Sequence, residues 1–283
     1  MRRILLGLIG SGIQRSLTPA LQEGEAAAHN IRCVYQLIDL DVLRLTAADL
    51  SELLLATERM GFAGLNVTHP CKQAIVPLLT DIAEDACALG AVNTVIFRDG
   101  RRFGHNTDWL GFSAALRDGI PGVSLGRIAQ LGAGGGGSAT AFAALKLGAR
   151  EIRIIDVDPH RSGELAARLN RVFGENKARA VEDPAEALRD ADGLIHATPT
   201  GMHGHPGVPI ALELLRPHLW VAEIVYFPLQ TELLSAAKQL GCRTIDGGSM
   251  AVGQAVEAFR LFTGLEPDSL RMRRHFLSLV EAR

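Results

Sequence analysis

The stretch Gln130-Leu131-Gly132-Ala133-Gly134-Gly135-Gly136-Gly137-Ser138-Ala139 constrains this chain more than any other. It lies between a short apolar run, Ile128 to Leu131, and a segment of helical pattern, Ala139 to Leu147. Strand, glycine turn, helix is the order that a dinucleotide pyrophosphate requires. The first glycine makes the tight turn, the next lets backbone approach the phosphates, and the N–H groups of the helix start face them. Glycines at this density could also make a merely flexible loop. A second apolar strand, Glu151 to Ile155, follows however, and ends in Asp156. That is about the twenty-residue distance at which an acidic group meets ribose hydroxyls. Gly132, Ala133, Gly134, Gly135, Gly136 and Asp156 are therefore candidate cofactor-binding residues.

At 283 residues the chain is long enough for two domains with real cores. Its 47% hydrophobic and 21% charged residues are those of an ordinary soluble globular protein. A net charge of −2 gives no electrostatic reason to expect nucleic acid as a partner. Cys33, Cys71, Cys87 and Cys242 are scattered, with no C-x-x-C pair, so a reducing cytoplasmic setting is expected. Met1-Arg2-Arg3 followed by Ile4 to Ile9 superficially resembles a signal peptide. The apolar run is short and interrupted by glycine, and reads instead as a first strand. No run approaches the roughly 18 apolar residues of a membrane span, and no membrane partner is expected. His203-Gly204-His205 sits in a Gly/Pro loop with no third ligand indicated, so no metal is expected. Cys71 beside Lys72 reads as a packed thiol, and Arg271, Arg273 and Arg274 as a solvated helix face.

In chain order, strands are expected at Ile4 to Ile9, Val34 to Ile38, Gly64 to Thr68 and Ala91 to Phe97. Helices are expected at Ala20 to His29, Leu50 to Met60, from about Gln73, and at Trp109 to Arg117. Thr18 before Pro19 is placed to cap the first helix. After the glycine turn, helices at Glu164 to Phe173, Glu182 to Asp190 and Thr231 to Leu240 alternate with strands at Gly193 to Ala197, Trp220 to Val225 and Arg243 to Ile245. Two terminal helices span Met250 to Thr263 and Ser269 to Glu281. Such alternation implies an α/β protein of mostly parallel sheet, with a doubly wound nucleotide-binding half.

Two polar clusters fall at strand and loop boundaries in the first half: Asn66, Thr68 and Lys72, then Asn93, Asn106 and Asp108. Either could serve structure alone, since Asn and Thr beside Pro satisfy turns and Asp108 can cap the helix at Trp109. A lysine and an aspartate are also a workable proton-transfer pair.

The same residues carry a family resemblance. Asn66-Val67-Thr68-His69-Pro70-Cys71-Lys72, Ala91-Val92-Asn93-Thr94 and Asn106-Thr107-Asp108 resemble the motifs of shikimate dehydrogenases and their quinate-using relatives. So do Ser16-Leu17-Thr18-Pro19, Ala197-Thr198-Pro199-Thr200-Gly201-Met202, Val225-Tyr226-Phe227-Pro228, and Asp246-Gly247-Gly248-Ser249-Met250 with Gln254, in the same order. The likeness runs through nearly the whole chain. It implies a substrate domain made of residues 1–108 with 246–283, and a Rossmann-like dinucleotide domain, 109–245, inserted between them. It implies Lys72 and Asp108 as the catalytic pair and Ser16 and Thr18 on the substrate carboxylate. Thr68, Asn93, Asp108 and Gln254 would hold ring hydroxyls, with Tyr226 close by. Thr198, Val225, Gly247 and Met250 would lie along the cofactor. The substrate would be a cyclic polyhydroxy carboxylic acid; a second copy of the chain, as a homodimer, is the candidate protein partner.

In the implied reaction, hydride leaves the ring carbon that bears the reacting hydroxyl while Lys72 takes the hydroxyl proton. Alcohol oxidation is then expected to rise toward alkaline pH. NADP-using relatives usually place Asn-Arg-Thr-like residues after the second nucleotide strand. This chain has Asp156-Val157-Asp158-Pro159-His160-Arg161, which would repel a 2′-phosphate, so NAD is the expected cofactor, although Arg161 could still meet phosphate or adenine. The four consecutive glycines at 134–137 depart slightly from the family's usual turn. Thr18, where biosynthetic enzymes commonly have serine, resembles the quinate/shikimate branch. The expected activity is NAD-dependent oxidation or reduction of quinate and shikimate. Alternatives are a shikimate-only or aminoshikimate-type enzyme and, from another class, a nucleotide-sensing Rossmann module without turnover.

Overall fold

Apolar strands alternating with helices build two six-stranded sheets in the computed structural model, which describes residues 1–282. The first sheet comprises β1 (Arg2–Gly10), β2 (Ile31–Asp39), β3 (Gly64–Val67), β4 (Asp81–Ile82), β5 (Thr94–Arg98) and β6 (Arg101–His105), in the order β2-β1-β3-β5-β6-β4. Three pairings are parallel, and β5 runs antiparallel to both β3 and β6. The second sheet comprises β7 (Arg127–Leu131), β8 (Glu151–Ile155), β9 (Ala178–Ala180), β10 (Gly193–His196), β11 (Trp220–Glu223) and β12 (Arg243–Ile245). It is parallel throughout, in the order β12-β11-β10-β7-β8-β9. That is the doubly wound Rossmann order, whose direction reverses between β7 and β10, where such sheets open a ligand crevice beyond their carboxyl ends.

The chain divides into two compact units: Met1–Thr107 with the described residues from 254 onward, and Asp108–Gly253. The first unit buries β1 on both faces, as its near-continuous apolar run requires. One of its cores joins Ile4, Leu6, Leu8 and Ile31 to Ala258, Phe259 and Phe262 from the far end of the chain. Glu25 ties the same two chain regions together. Its buried carboxylate accepts from Arg271 Nε and Nη2 at 2.8 and 2.6 Å and from the Asp268 N–H at 2.8 Å, with His29 Nε2 at 3.1 Å. Burial pushes this carboxyl up, but Arg271 and the other donors outweigh it and hold the group below the ordinary carboxylate range. A depressed folded-state value means that its contribution is fully present above the unfolded-state value and is lost as pH falls through the folded one. Glu25→Gln is expected to destabilise by about 2 kcal/mol at neutral pH and to shrink the deficit in acid; equal Tm differences at pH 7 and pH 3 would contradict this.

Several boundaries differ from the sequence reading for physical reasons. Thr18 is the first residue of helix Thr18–Ala28 rather than its cap, and the Ser16 hydroxyl accepts from its N–H at 3.2 Å. The strand expected from Ala91 begins at Thr94, although the Asn93 carbonyl accepts from Val67 N–H at 2.7 Å and its N–H donates to the His105 carbonyl at 3.0 Å. The helix expected at Gln73 is a single turn, Cys71–Ala74, and β6 carried too many polar residues to read as a strand. The helix after the glycine turn starts at Gly135 instead of Ala139, since glycine's poor helix propensity hid the first turn. No described helix is long and apolar enough to cross a membrane.

Candidate active site

In the first unit, the candidate residues gather at the carboxyl ends of β1 and β3 and around Asn93. The loop after β1 is held by Asp39, whose carboxylate accepts from the N–H groups of Gly12, Ile13 and Asp41 and from Gln14 Nε2, at 2.9–3.2 Å. Burial pushes this carboxyl up, but those four donors outweigh it and keep it below its ordinary value. The loop thereby presents half-buried Ser16 and Thr18 at the start of the first helix.

Thr68 follows β3, its N–H donating to the Ile9 carbonyl at 2.9 Å. Gly10 makes room for it, because a Cβ there would lie 2.3 Å from Thr68 Cγ2. The turn continues through Cys71 N–H to the Thr68 carbonyl, and the Lys72 carbonyl accepts from Val92 N–H at 2.9 Å. Half-buried Lys72 is thus anchored through its backbone on the strand side.

Asn93 is buried and heavily engaged. Its Oδ1 accepts from Thr107 N–H at 2.7 Å and from the Thr94 hydroxyl at 3.0 Å. Its Nδ2 donates to the Thr107 hydroxyl at 3.0 Å and lies 3.5 Å from Gln254 Oε1. That last contact is long enough to be exchanged for a stronger acceptor. Asn106 donates to the Ala91 carbonyl at 3.0 Å and serves the turn. Asn66 accepts from the Tyr35 hydroxyl at 2.7 Å and donates to Thr94 at 3.0 Å. Burial raises the Tyr35 phenol well above its ordinary value, which keeps it a neutral donor.

In the second unit, buried Asp108 is the first residue of helix Asp108–Gly119, inside the first turn rather than before it. A carboxylate is favoured there by the helix dipole. Gly132 has φ +98°, and a Cβ on it would lie 2.4 Å from the Ala197 carbonyl oxygen and 3.1 Å from Thr198 Cγ2. Gly137 is equally confined, its Cβ position being 2.1 Å from the Gly132 oxygen, and that of Gly136 meets Ile224 at 2.5 Å. Gly134 and Gly135 differ: a Cβ on either would meet no protein atom within 4 Å. The space these two leave is therefore not required by the protein's own packing, and backbone N–H groups at a helix start beside it fit a pyrophosphate. Asp156 follows β8; its Oδ2 accepts from Ala133 N–H at 2.7 Å and its Oδ1 from Asp158 N–H at 3.0 Å. An ionised carboxylate has about four lone-pair sites, so acceptor capacity remains for ribose hydroxyls. Arg161 is exposed and paired with Asp158 at 3.6 Å. Val225 and Met250 are buried, and Gly247 admits no Cβ because the Ile224 and Val225 carbonyl oxygens lie within 2.4 Å of that position. Tyr226 packs its ring on Phe227, centroids 5.0 Å apart. No cluster of three or more His, Cys, Asp or Glu among the described residues could hold a metal ion.

Gln130 escaped the sequence reading although it opens the glycine stretch. Fully buried, it donates from Nε2 to the carbonyls of Gly132 and Gly137, at 3.0 and 2.8 Å, and accepts from the Thr140 hydroxyl at 2.9 Å. One amide spans both ends of the glycine turn. Asp39, Tyr35, His196 and Glu223 were missed likewise. The available signal was a polar residue interrupting or ending an apolar strand, which must find a partner once buried.

Comparison with known proteins decides the family. Residues 8–95 match the shikimate dehydrogenase substrate binding domain, and residues 108–204 match the C-terminal domain of alanine dehydrogenase/PNT. The chain is 55% identical to the shikimate dehydrogenase (NADP(+)) of Streptomyces avermitilis, covering 95% of this chain and 93% of that one. The chain belongs to the shikimate dehydrogenase family. It is also 49% identical to the quinate/shikimate dehydrogenase (NAD(+)) of Corynebacterium efficiens, covering 98% of each. Among solved structures it resembles quinate dehydrogenase from Corynebacterium glutamicum in complex with NAD, at TM-score 0.94 and 46% identity, over 98% of this chain and 100% of that one. Like these members of the family, the protein is an oxidoreductase of the shikimate/quinate dehydrogenase type.

Proposed function

We propose that this shikimate dehydrogenase family member is an NAD-dependent quinate/shikimate dehydrogenase. The names of its relatives divide between NADP and NAD. The observation that carries the choice is Asp156, whose carboxylate is fixed against the glycine turn with acceptor capacity to spare. Asp156 would accept from free ribose hydroxyls and repel a 2′-phosphate, and Asp158 adds a second negative charge two residues on. Bound NAD supplies the hydride acceptor.

Lys72 takes the proton of the reacting ring hydroxyl during oxidation and returns it during reduction, with Asp108 as its acidic partner. Ser16 and Thr18 offer two hydroxyls to the substrate carboxylate. Thr68, Asn93 and Gln254 offer fixed amide and hydroxyl groups to the ring, where each unpaired buried polar group would cost about 1–3 kcal/mol. At 3.5 Å the Asn93–Gln254 contact is long enough to open for a ring hydroxyl. Tyr226 borders the substrate; Thr198, Val225, Gly247 and Met250 line the cofactor together with Gly132, Ala133, Gly134, Gly135 and Gly136. Thr18 supports use of quinate, whose extra hydroxyl stands beside the carboxylate.

Initial rates with quinate and with shikimate, each with NAD and with NADP, test this directly. Turnover of both acids with NAD preferred is expected. Shikimate turnover with NADP preferred would place the enzyme in the biosynthetic branch instead, and no turnover with any pair would favour a nucleotide-sensing role. Asp156→Asn is expected to raise the NADP-to-NAD ratio of kcat/KM about tenfold, which corresponds to about 1.4 kcal/mol of relieved repulsion. An unchanged ratio would remove Asp156 as the discriminating group.

A further inference from the structure

A chain of four polar side chains runs beneath the glycine turn of the second unit, and of the four only Thr198 is assigned above, as a residue lining the cofactor. His196 and Glu223 end β10 and β11, are register neighbours, and have fully buried side chains. His196 Nδ1 lies 2.7 Å from Glu223 Oε1, and Nε2 lies 2.6 Å from the Thr198 hydroxyl. Glu223 Oε2 accepts from the Thr231 hydroxyl at 2.5 Å. Thr231 caps helix Glu232–Gln239 by accepting from Leu234 N–H at 3.2 Å, and Thr198 accepts from Thr200 N–H at 3.3 Å.

Hydroxyl, imidazole, carboxylate is the order found in nucleophilic triads. Here the carboxylate also serves a second hydroxyl, and both hydroxyls anchor backbone. The flanking residues Leu194, Ile195, Val221 and Ala222 are buried and apolar, so these polar groups stand in a low-dielectric setting where each must be satisfied. All four side chains are, and a satisfied buried network holds its members rigidly. Its ends bear on the glycine turn. Thr198 Cγ2 fills the space beside Gly132, and Ile224, which follows Glu223 and donates its N–H to the His196 carbonyl at 3.1 Å, fills the space over Gly136.

We propose that His196 and Glu223 are positioning residues for the dinucleotide: through Thr198 and Ile224 they fix two wall segments against the glycine turn and set NAD affinity without touching NAD. The inference rests on the reading above that this crevice takes NAD. It is tested on the intact protein by calorimetric binding of NAD to the wild type, His196→Gln, Thr198→Val and the double variant. Each single variant is expected to raise Kd about tenfold. The double variant should rise no further than the stronger single one, because both act through one hydroxyl. In His196→Gln at saturating NAD, KM for the ring substrate should stay within about twofold.

A Kd within about twofold of wild type in either folded single variant, or additive effects in the double, would overturn the proposal. So would a lowered Tm with unchanged Kd, which marks a purely structural pair. If His196→Gln does not fold, Glu223→Gln and Thr231→Val carry the test, since neither residue lines the cofactor. Weakened NAD binding in both supports the proposal, and unchanged binding in either overturns it. A wild type that binds NADP and not NAD would refute the cofactor assignment alone, and the same series read with NADP then decides the role of His196.

Discussion

Lys72→Ala is expected to lower kcat for ring-hydroxyl oxidation about 10²- to 10⁴-fold, the range that a positioned general acid or base contributes. The loss should fall on kcat more than on KM, because the proton moves in the transition state and the ring keeps its other partners. Local collapse is not expected to confuse the result. The turn bearing Lys72 is held by the bonds from Cys71 N–H to the Thr68 carbonyl, from Ser11 N–H to the His69 carbonyl and from Val92 N–H to Lys72's own carbonyl, none of which needs the amine. Steady-state rates with and without added methylamine check the role, since a small amine should restore part of the rate to the alanine variant. A kcat within tenfold of wild type would move the proton to another group.

Gly134→Ala is expected to weaken NAD binding on the order of 100-fold, the scale of a misplacement of about 1 Å, while leaving Tm within a degree or two. Gly134 has φ −72° and ψ −167°, a conformation open to any residue, and its added methyl would meet no protein atom. The methyl would therefore be paid for by the ligand alone. Gly132→Ala makes the opposite case. At φ +98°, with the Ala197 oxygen 2.4 Å from the new Cβ, it should lower Tm and NAD affinity together. Thermal melts with and without NAD separate the two glycines. Equal Tm losses in both variants would mean that the turn is built around its own packing and not around a phosphate.

The nucleotide-binding sheet was legible because its signals are local: an apolar strand, a glycine turn, a helix, and an acid at the end of the next strand. Asp156 illustrates how far that reaches. Its spacing pointed to a ribose, but spacing could not reveal that the same carboxylate also fastens the glycine turn through Ala133 N–H. Asn93 taught the converse. It was singled out as a ligand for hydroxyls, yet its Oδ1 is occupied by Thr107 and Thr94, which leaves chiefly Nδ2 for that task. The His196–Glu223 pair was silent in the sequence, since the two residues are 27 positions apart and meet only through strand register. The helical glycines 135–137 were misread because propensity describes an isolated helix, whereas Gly137 is dictated by the close approach of the Gly132 carbonyl.

The first unit is discontinuous in the chain, and this orders events during synthesis. Ile4, Leu6 and Leu8 emerge from the ribosome roughly 250 residues before Ala258, Phe259 and Phe262 of the same core, and still further ahead of the Arg271 that neutralises Glu25. That gap is a wait of roughly 12 to 50 s at elongation speeds of about 5–20 residues per second. The second unit, continuous from Asp108 to Gly253, has its whole sheet translated before the first can close. The strands Arg2–Gly10 and Ile31–Asp39 must therefore remain soluble, unsealed, throughout that interval. Truncations that stop near residue 250 should leave that half a client for chaperones, however well the inserted unit has folded.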